Sequence, residues 1–184
     1  SRPPGEAMSA VWRLLGEAFP DEPLALEMAA AAPLSFFGDF TRAAKSPKDI
    51  KAVLETIVAY QSVFATQATI AMVEEDSQVI VTLSHPLDHA DRGYSGEVAM
   101  AMGVRLFRDV FNIADALQGV ELMRPPPSST TAHEAFFAIP IRFACPRNAL
   151  FFHPDALTQP LHRFDPAQFR AIRGHLQRVQ AELS

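Results

Sequence analysis

The sequence predicts an α+β fold: a sheet of about five strands, mainly antiparallel, packed with helices, with helices at the N-terminus and an amphipathic helix at the C-terminus. Three observations lead there. Apolar residues recur at helical spacing through the first third of the chain. The period drops to two between Ile70 and Leu83. Short apolar runs near Val120, Ile141 and Ala149 are then divided by turns and a Pro-rich loop. With 48% hydrophobic and 20% charged residues over 184 positions, the composition is that of one globular domain with its own core.

The elements follow in order. Val11, Leu14, Leu15 and Ala18 give a first helix over about 5–19, closed by Pro20. Asp21 is placed to cap a second helix with Pro23 in its first turn, and a short third helix covers about 35–44. Ser46-Pro47-Lys48-Asp49 reads as a cap, a first-position proline and an acidic third residue. Ile50, Val53, Leu54, Ile57, Val58 and Phe64 then form one apolar face over about five turns. Ile70 and Met72, then Val79, Val81 and Leu83, alternate with their neighbours across the turn Glu74–Ser77, which gives an antiparallel hairpin. After the polar loop 85–93, a helix over about 94–114 places Met100, Val104, Phe107 and Phe111 on one face. Glu97, Arg105, Arg108, Asp109 and Asn112 are assigned to the other, and the i,i+4 pair Arg105–Asp109 places Arg105 at the surface. A strand at 120–123, the loop Pro125–Thr131, a helix at 132–138 and strands at 141–144 and 149–152 follow. Asp165 and Pro166 then start the last helix.

Several function classes are excluded. A net charge of −5, with sixteen scattered Lys and Arg, is wrong for a segment that itself grips nucleic acid. No apolar run reaches the length of a membrane span, and no basic-then-apolar leader is present. The opening Ser1-Arg2-Pro3-Pro4 has no Met and reads as an artificial boundary. The single Cys145 cannot staple the fold, so a reducing cytoplasm is expected. There is no phosphate loop, nucleophile elbow or H-E-x-x-H. His85, Asp88, His89 and Asp91 are close in sequence but lack helical spacing, so they read as a solvated loop, and no metal or cofactor is expected. Cys145 beside Pro146 and Arg147 reads as a small residue at a strand end, and the carboxylates Glu74, Glu75 and Asp76 as a solvated turn. No catalytic residue is assigned, and an enzyme is not expected.

Two sets of residues remain as candidates. Tyr60, Gln61, Gln67, Tyr94 and Arg142 interrupt apolar surroundings and are candidate polar contacts for a small molecule. Phe169, Ile172, Leu176, Val179 and Leu183 repeat at spacings of 3, 4, 3 and 4, a narrow seam with polar flanks. That seam suits either docking on its own domain or pairing with a second copy in a dimer.

The most specific stretch is Phe136-Phe137-Ala138-Ile139-Pro140-Ile141-Arg142-Phe143, followed by the turn Cys145–Asn148, the apolar strand Ala149–Phe152 and Leu157-Thr158-Gln159-Pro160-Leu161. With Ser35–Phe40, the helix 47–60 and the hairpin 70–83, it resembles the arabinose-binding-type N-terminal domain of AraC/XylS transcription regulators, from about Val11 to the end. Lys48-Asp49 stand where that family more often has Thr-Leu. The resemblance implies that residues 1–184 are a single effector-sensing and dimerisation domain of a bacterial regulator. A small molecule would shift its arrangement, and a C-terminal helix-turn-helix domain absent here would contact DNA. It implies no particular sugar. The alternative is a stand-alone small-molecule binding domain with no link to DNA.

Overall fold

A computed structural model describes residues 4–33, 35, 38, 47–64, 68–161 and 165–184. Most of the helix expected over 35–44, and the candidate Gln67, lie outside them. Seven helices and a five-stranded sheet are seen among the described residues: α1 (Pro4–Ala18), α2 (Leu24–Ala31), α3 (Ile50–Ala59), α4 (Gln61–Phe64), β1 (Thr69–Glu75), β2 (Gln78–Ser84), α5 (Tyr94–Arg105), β3 (Leu117–Glu121), α6 (Thr131–Phe137), β4 (Ile141–Arg142), β5 (Asn148–Phe152) and α7 (Pro166–Leu183). The strand order is β1-β2-β5-β3-β4. Every pairing is antiparallel except β3 with β4, whose Pro-rich loop and α6 form the long crossover that parallel neighbours need.

The hairpin β1–β2 turns at Asp76 and Ser77, both with positive φ (50° and 65°), the geometry a two-residue turn needs to match strand twist. Register follows the alternation. Val79 pairs with Phe152 and Val81 with Leu150, and these four join Leu117 and Val120 in the core. Met100, Val104 and Phe107 of α5 pack on them, with Phe107 edge-on to Phe152 at 5.0 Å between centroids. Val53, Leu54 and Ile57 of α3 complete that core. On the opposite face Ile80 pairs with Phe151. The segment after β5 returns to the start of α3: Leu161 N donates to Lys48 O and Lys51 N to Leu157 O.

Several local expectations change. The cap of α3 is Asp49, whose Oδ1 accepts from Ala52 N at 2.8 Å, so Pro47 precedes the helix. The five-turn helix breaks at Tyr60 into α3 and the single turn α4. Asp21 caps nothing; it accepts from Ser128 Oγ at 2.7 Å, and α2 starts after Pro23 without a side-chain cap. Beyond Arg105 helix α5 widens into a π-helical turn, Leu106–Val110, where Phe111 N reaches back to Leu106 O. Arg105 is not a surface residue. Its side chain is 12% exposed, and Nη1 donates to Ala29 O and Ala32 O at 2.6 Å each, closing the C-terminus of α2 while Nε still meets Asp109.

Candidate functional site

The start of α5 is built by Asp91. Its fully buried carboxylate accepts from Gly93 N and Ser95 N, both at 3.0 Å. Gly93 sits at φ 81° with its α-carbon against the backbone of Arg124, where a β-carbon would lie 2.8 Å from Arg124 N. Only glycine meets both requirements. Tyr94 is thereby fixed as the first residue of α5, under Arg124.

Around it lies a buried ionic cluster drawn from three elements. Glu97, one turn into α5, is fully buried and accepts from Arg124 Nη1 and from His133 Nε2 of α6. Arg124 Nη1 and His133 Nε2 are 3.4 Å apart. The Arg124 guanidinium also lies over the Tyr94 ring, 4.6 Å from its centroid, and the Tyr94 ring stacks on Trp12 of α1 at 5.7 Å with 3° between planes. His133 is 1% exposed, edge-on to Phe143, and among the described residues its Nδ1 has no hydrogen-bond partner. A buried cation is tolerable only with such partners, since an unpaired charge removed from water is costly.

This cluster backs a cavity of about 300 Å³ between the end of α1 and the Pro-rich loop, lined by Gly16, Asp21, Arg92, Tyr94, Arg124 and the segment Pro125–Ser128. A second cavity, a groove of about 310 Å³ between α3 and α7, is lined by Ala52, Thr56, Tyr60 and Phe169, with Lys48, Glu55 and Arg173 also on its wall. Among the described residues no group of three or more His, Cys, Asp or Glu could hold a metal ion. In the 85–93 loop, His85 N donates to Asp88 Oδ2 and His85 Nδ1 accepts from Leu87 N, so this segment closes on itself. Cys145 is half-buried, its Sγ directed at Phe143 O.

The five candidate pocket residues do not converge. Tyr94 lines the first cavity and Tyr60 the second. Gln61 binds the edge of the sheet, accepting from Ile70 N at 2.7 Å and donating to Ile70 O at 3.0 Å. Gln67 lies outside the described residues. Arg142 is exposed on the far face of the sheet, paired with Glu121 and 5.8 Å from the Phe151 centroid. Sequence reasoning missed Glu97, Arg124 and His133. One signal was present: Glu97 precedes Met100, Ala101 and Val104 by three, four and seven positions, so it shares their core face and not the polar one assigned to it.

Beside Arg142, Arg147 donates to Glu121 at 2.9 Å and bidentately to Glu75 at 2.8 and 3.1 Å. The hydrogen bonds from Arg147 hold the Glu75 carboxyl below its ordinary value near 4.5, against a smaller opposing effect of desolvation, and the pairing raises Arg147 further, so it stays charged. A depressed carboxylate stabilises the fold above its unfolded value, and that contribution is lost as pH falls through the folded one. The melting temperatures of wild type and Glu75→Gln should therefore differ at neutral pH and converge well below pH 4.5. A gap that persists in acid would overturn the assignment.

Residues 1–161 match the family described as the arabinose-binding domain of AraC transcription regulators, N-terminal. The crystal structure of the transcriptional regulator CdpR from Pseudomonas aeruginosa has the same fold, with a TM-score of 0.68 at 20% identity over 96% of this chain and 60% of that one. The chain thus spans less than two thirds of that regulator's length. No curated protein matches it. The expected α+β architecture is what the fold displays, and the chain belongs to the family of arabinose-binding-type N-terminal domains of AraC transcription regulators.

Proposed function

We propose that this domain senses a small-molecule effector and dimerises, and that it thereby controls DNA binding by a C-terminal helix-turn-helix domain of the same protein. The observation that carries the reading is the family match over residues 1–161. The family is a regulatory class and not an enzyme class. The net charge of −5 supports leaving DNA contact to another domain. Among the described residues no helix is long and apolar enough to cross a membrane. A cytoplasmic location belongs to the same proposal. The gene sequence after residue 184 tests the link to DNA: about 100 further residues with two helix-turn-helix patterns and positive net charge are expected. A stop codon there would leave a stand-alone binding domain instead.

Dimerisation has two candidate faces. In α7 Leu176 is fully buried within the protomer, Phe169, Ile172 and Val179 are half-buried, and Leu183 is 60% exposed. The seam is thus partly used for docking, and its free part lies toward the C-terminus. The second face is α1. It turns Ser9, Trp12 and Gly16 inward, while Met8, Val11 and Leu14, with Phe19 just after the helix, remain 47–60% exposed. Sedimentation of the wild type should give a dimer, and of Leu183→Glu and Val11→Glu the one on the pairing face should sediment as a monomer. A wild-type monomer at high concentration would remove dimerisation from the proposal.

A further inference from the structure

We propose that the cavity between the end of α1 and the Pro-rich loop binds a small organic carboxylate with a compact apolar body. The inference rests on the reading of this domain as a sensor and names the ligand class for one of its cavities.

Arg124, 6% exposed, lies on the wall of that cavity. Its Nη1 alone makes the contacts to Glu97 and His133. A guanidinium carries five N–H donors in a rigid fork, so Nε and Nη2 remain outside those two contacts, in the geometry that suits a carboxylate. The fork is already held in place by Glu97 and by the Tyr94 ring, so binding would not have to order it. The Tyr94 hydroxyl reaches the same wall at Gly16, where a β-carbon would lie 2.5 Å from it; among the described residues it makes no hydrogen bond, although Tyr94 is only 7% exposed. Arg92 adds a second cation to the lining. The opposing charges are Glu97, already paired with Arg124 Nη1, Asp21, which accepts from Ser128 Oγ, and Glu17, 3.8 Å from Arg92 at the surface. Pro20 and Pro125–Pro127 supply apolar wall with little entropy to lose, which suits a compact hydrocarbon body. A cavity of about 300 Å³ is at the small end of ligand sites.

The test is a titration of the ¹⁵N-labelled 184-residue chain with benzoate and, separately, with its neutral isostere benzamide. Benzoate should give saturable shifts at the amides of Gly16, Gly93, Tyr94, Arg124 and Ser128, with a Kd about tenfold below that of benzamide, the size expected for a charge-assisted hydrogen bond. Arg124 variants would unpair Glu97, so substitutions at Arg92 and Asp21 carry the test. Arg92→Gln should weaken benzoate several-fold. Asp21→Asn should strengthen it and leave benzamide unchanged. Equal affinity for the two probes, no saturable shift, or shifts centred on Tyr60 and Phe169 would each overturn the proposal. Those results concern the cavity alone; the gene sequence after residue 184 decides the regulator reading independently.

Discussion

Glu97→Ala is expected to destabilise the fold by about 3–5 kcal/mol, because it leaves the buried Arg124 guanidinium without its carboxylate and His133 Nε2 without an acceptor. For a domain of this size the melting temperature should fall by about 10 °C. Glu97→Gln retains an acceptor but not the charge, and should lie between. The replacement of both ions by apolar side chains, Glu97→Met with Arg124→Met, should cost less than either single change, since no charge is then stranded in the interior. Thermal unfolding of wild type, Glu97→Met, Arg124→Met and the double variant forms a complete double-mutant cycle. A loss within the roughly 0.5 kcal/mol usual at surface sites would mean that water already reaches the cluster.

Leu176→Asp should release α7 while the sheet stays folded. Leu176 is the one fully buried side chain of that helix. Otherwise α7 holds on through half-buried Phe169, Ile172 and Val179 and through Gln180 Nε2, which donates to Ala59 O at 3.0 Å. Even Leu→Ala at a buried site costs about 2–5 kcal/mol, and a carboxylate there adds desolvation. The loss is expected to be local because the main core is formed by α3, α5 and the sheet. Hydrogen exchange measures it directly: the amides of α7 should lose protection while those of β2 and β5 keep theirs. Unchanged α7 protection would mean that Leu176 does not anchor the helix, and global unfolding would make α7 part of the core.

Much of this architecture was legible because it depends on neighbours in sequence. The hairpin could be read from a period of two and a polar turn, and the last helix from Asp165 and Pro166: Asp165 Oδ1 accepts from Ala167 N at 2.9 Å and Gln168 N at 3.1 Å. Boundaries were less secure. At α3 two polar residues competed for the cap, and Asp49 won because the backbone there meets Leu157 and Leu161 from the far end of the chain. Arg105 illustrates the same limit. Its i,i+4 partner Asp109 was visible, but the carbonyls that occupy Nη1 belong to Ala29 and Ala32, more than seventy positions away.

The sequence by itself determined the fold class, the order of elements, the alternating strands and the two faces of α3, because side-chain periodicity and capping act over a few residues. Only the tertiary structure decided which polar residues are inside. Glu97, Arg124 and His133 stand on a helix, after a strand and on another helix, and each locally resembles a solvated residue. Their burial is permitted because the packing of α5, the segment after β3 and α6 brings opposite charges and donors into contact. The same packing placed Tyr94 against Arg124 beside one cavity, sent Tyr60 to another, and turned Arg142 out to solvent.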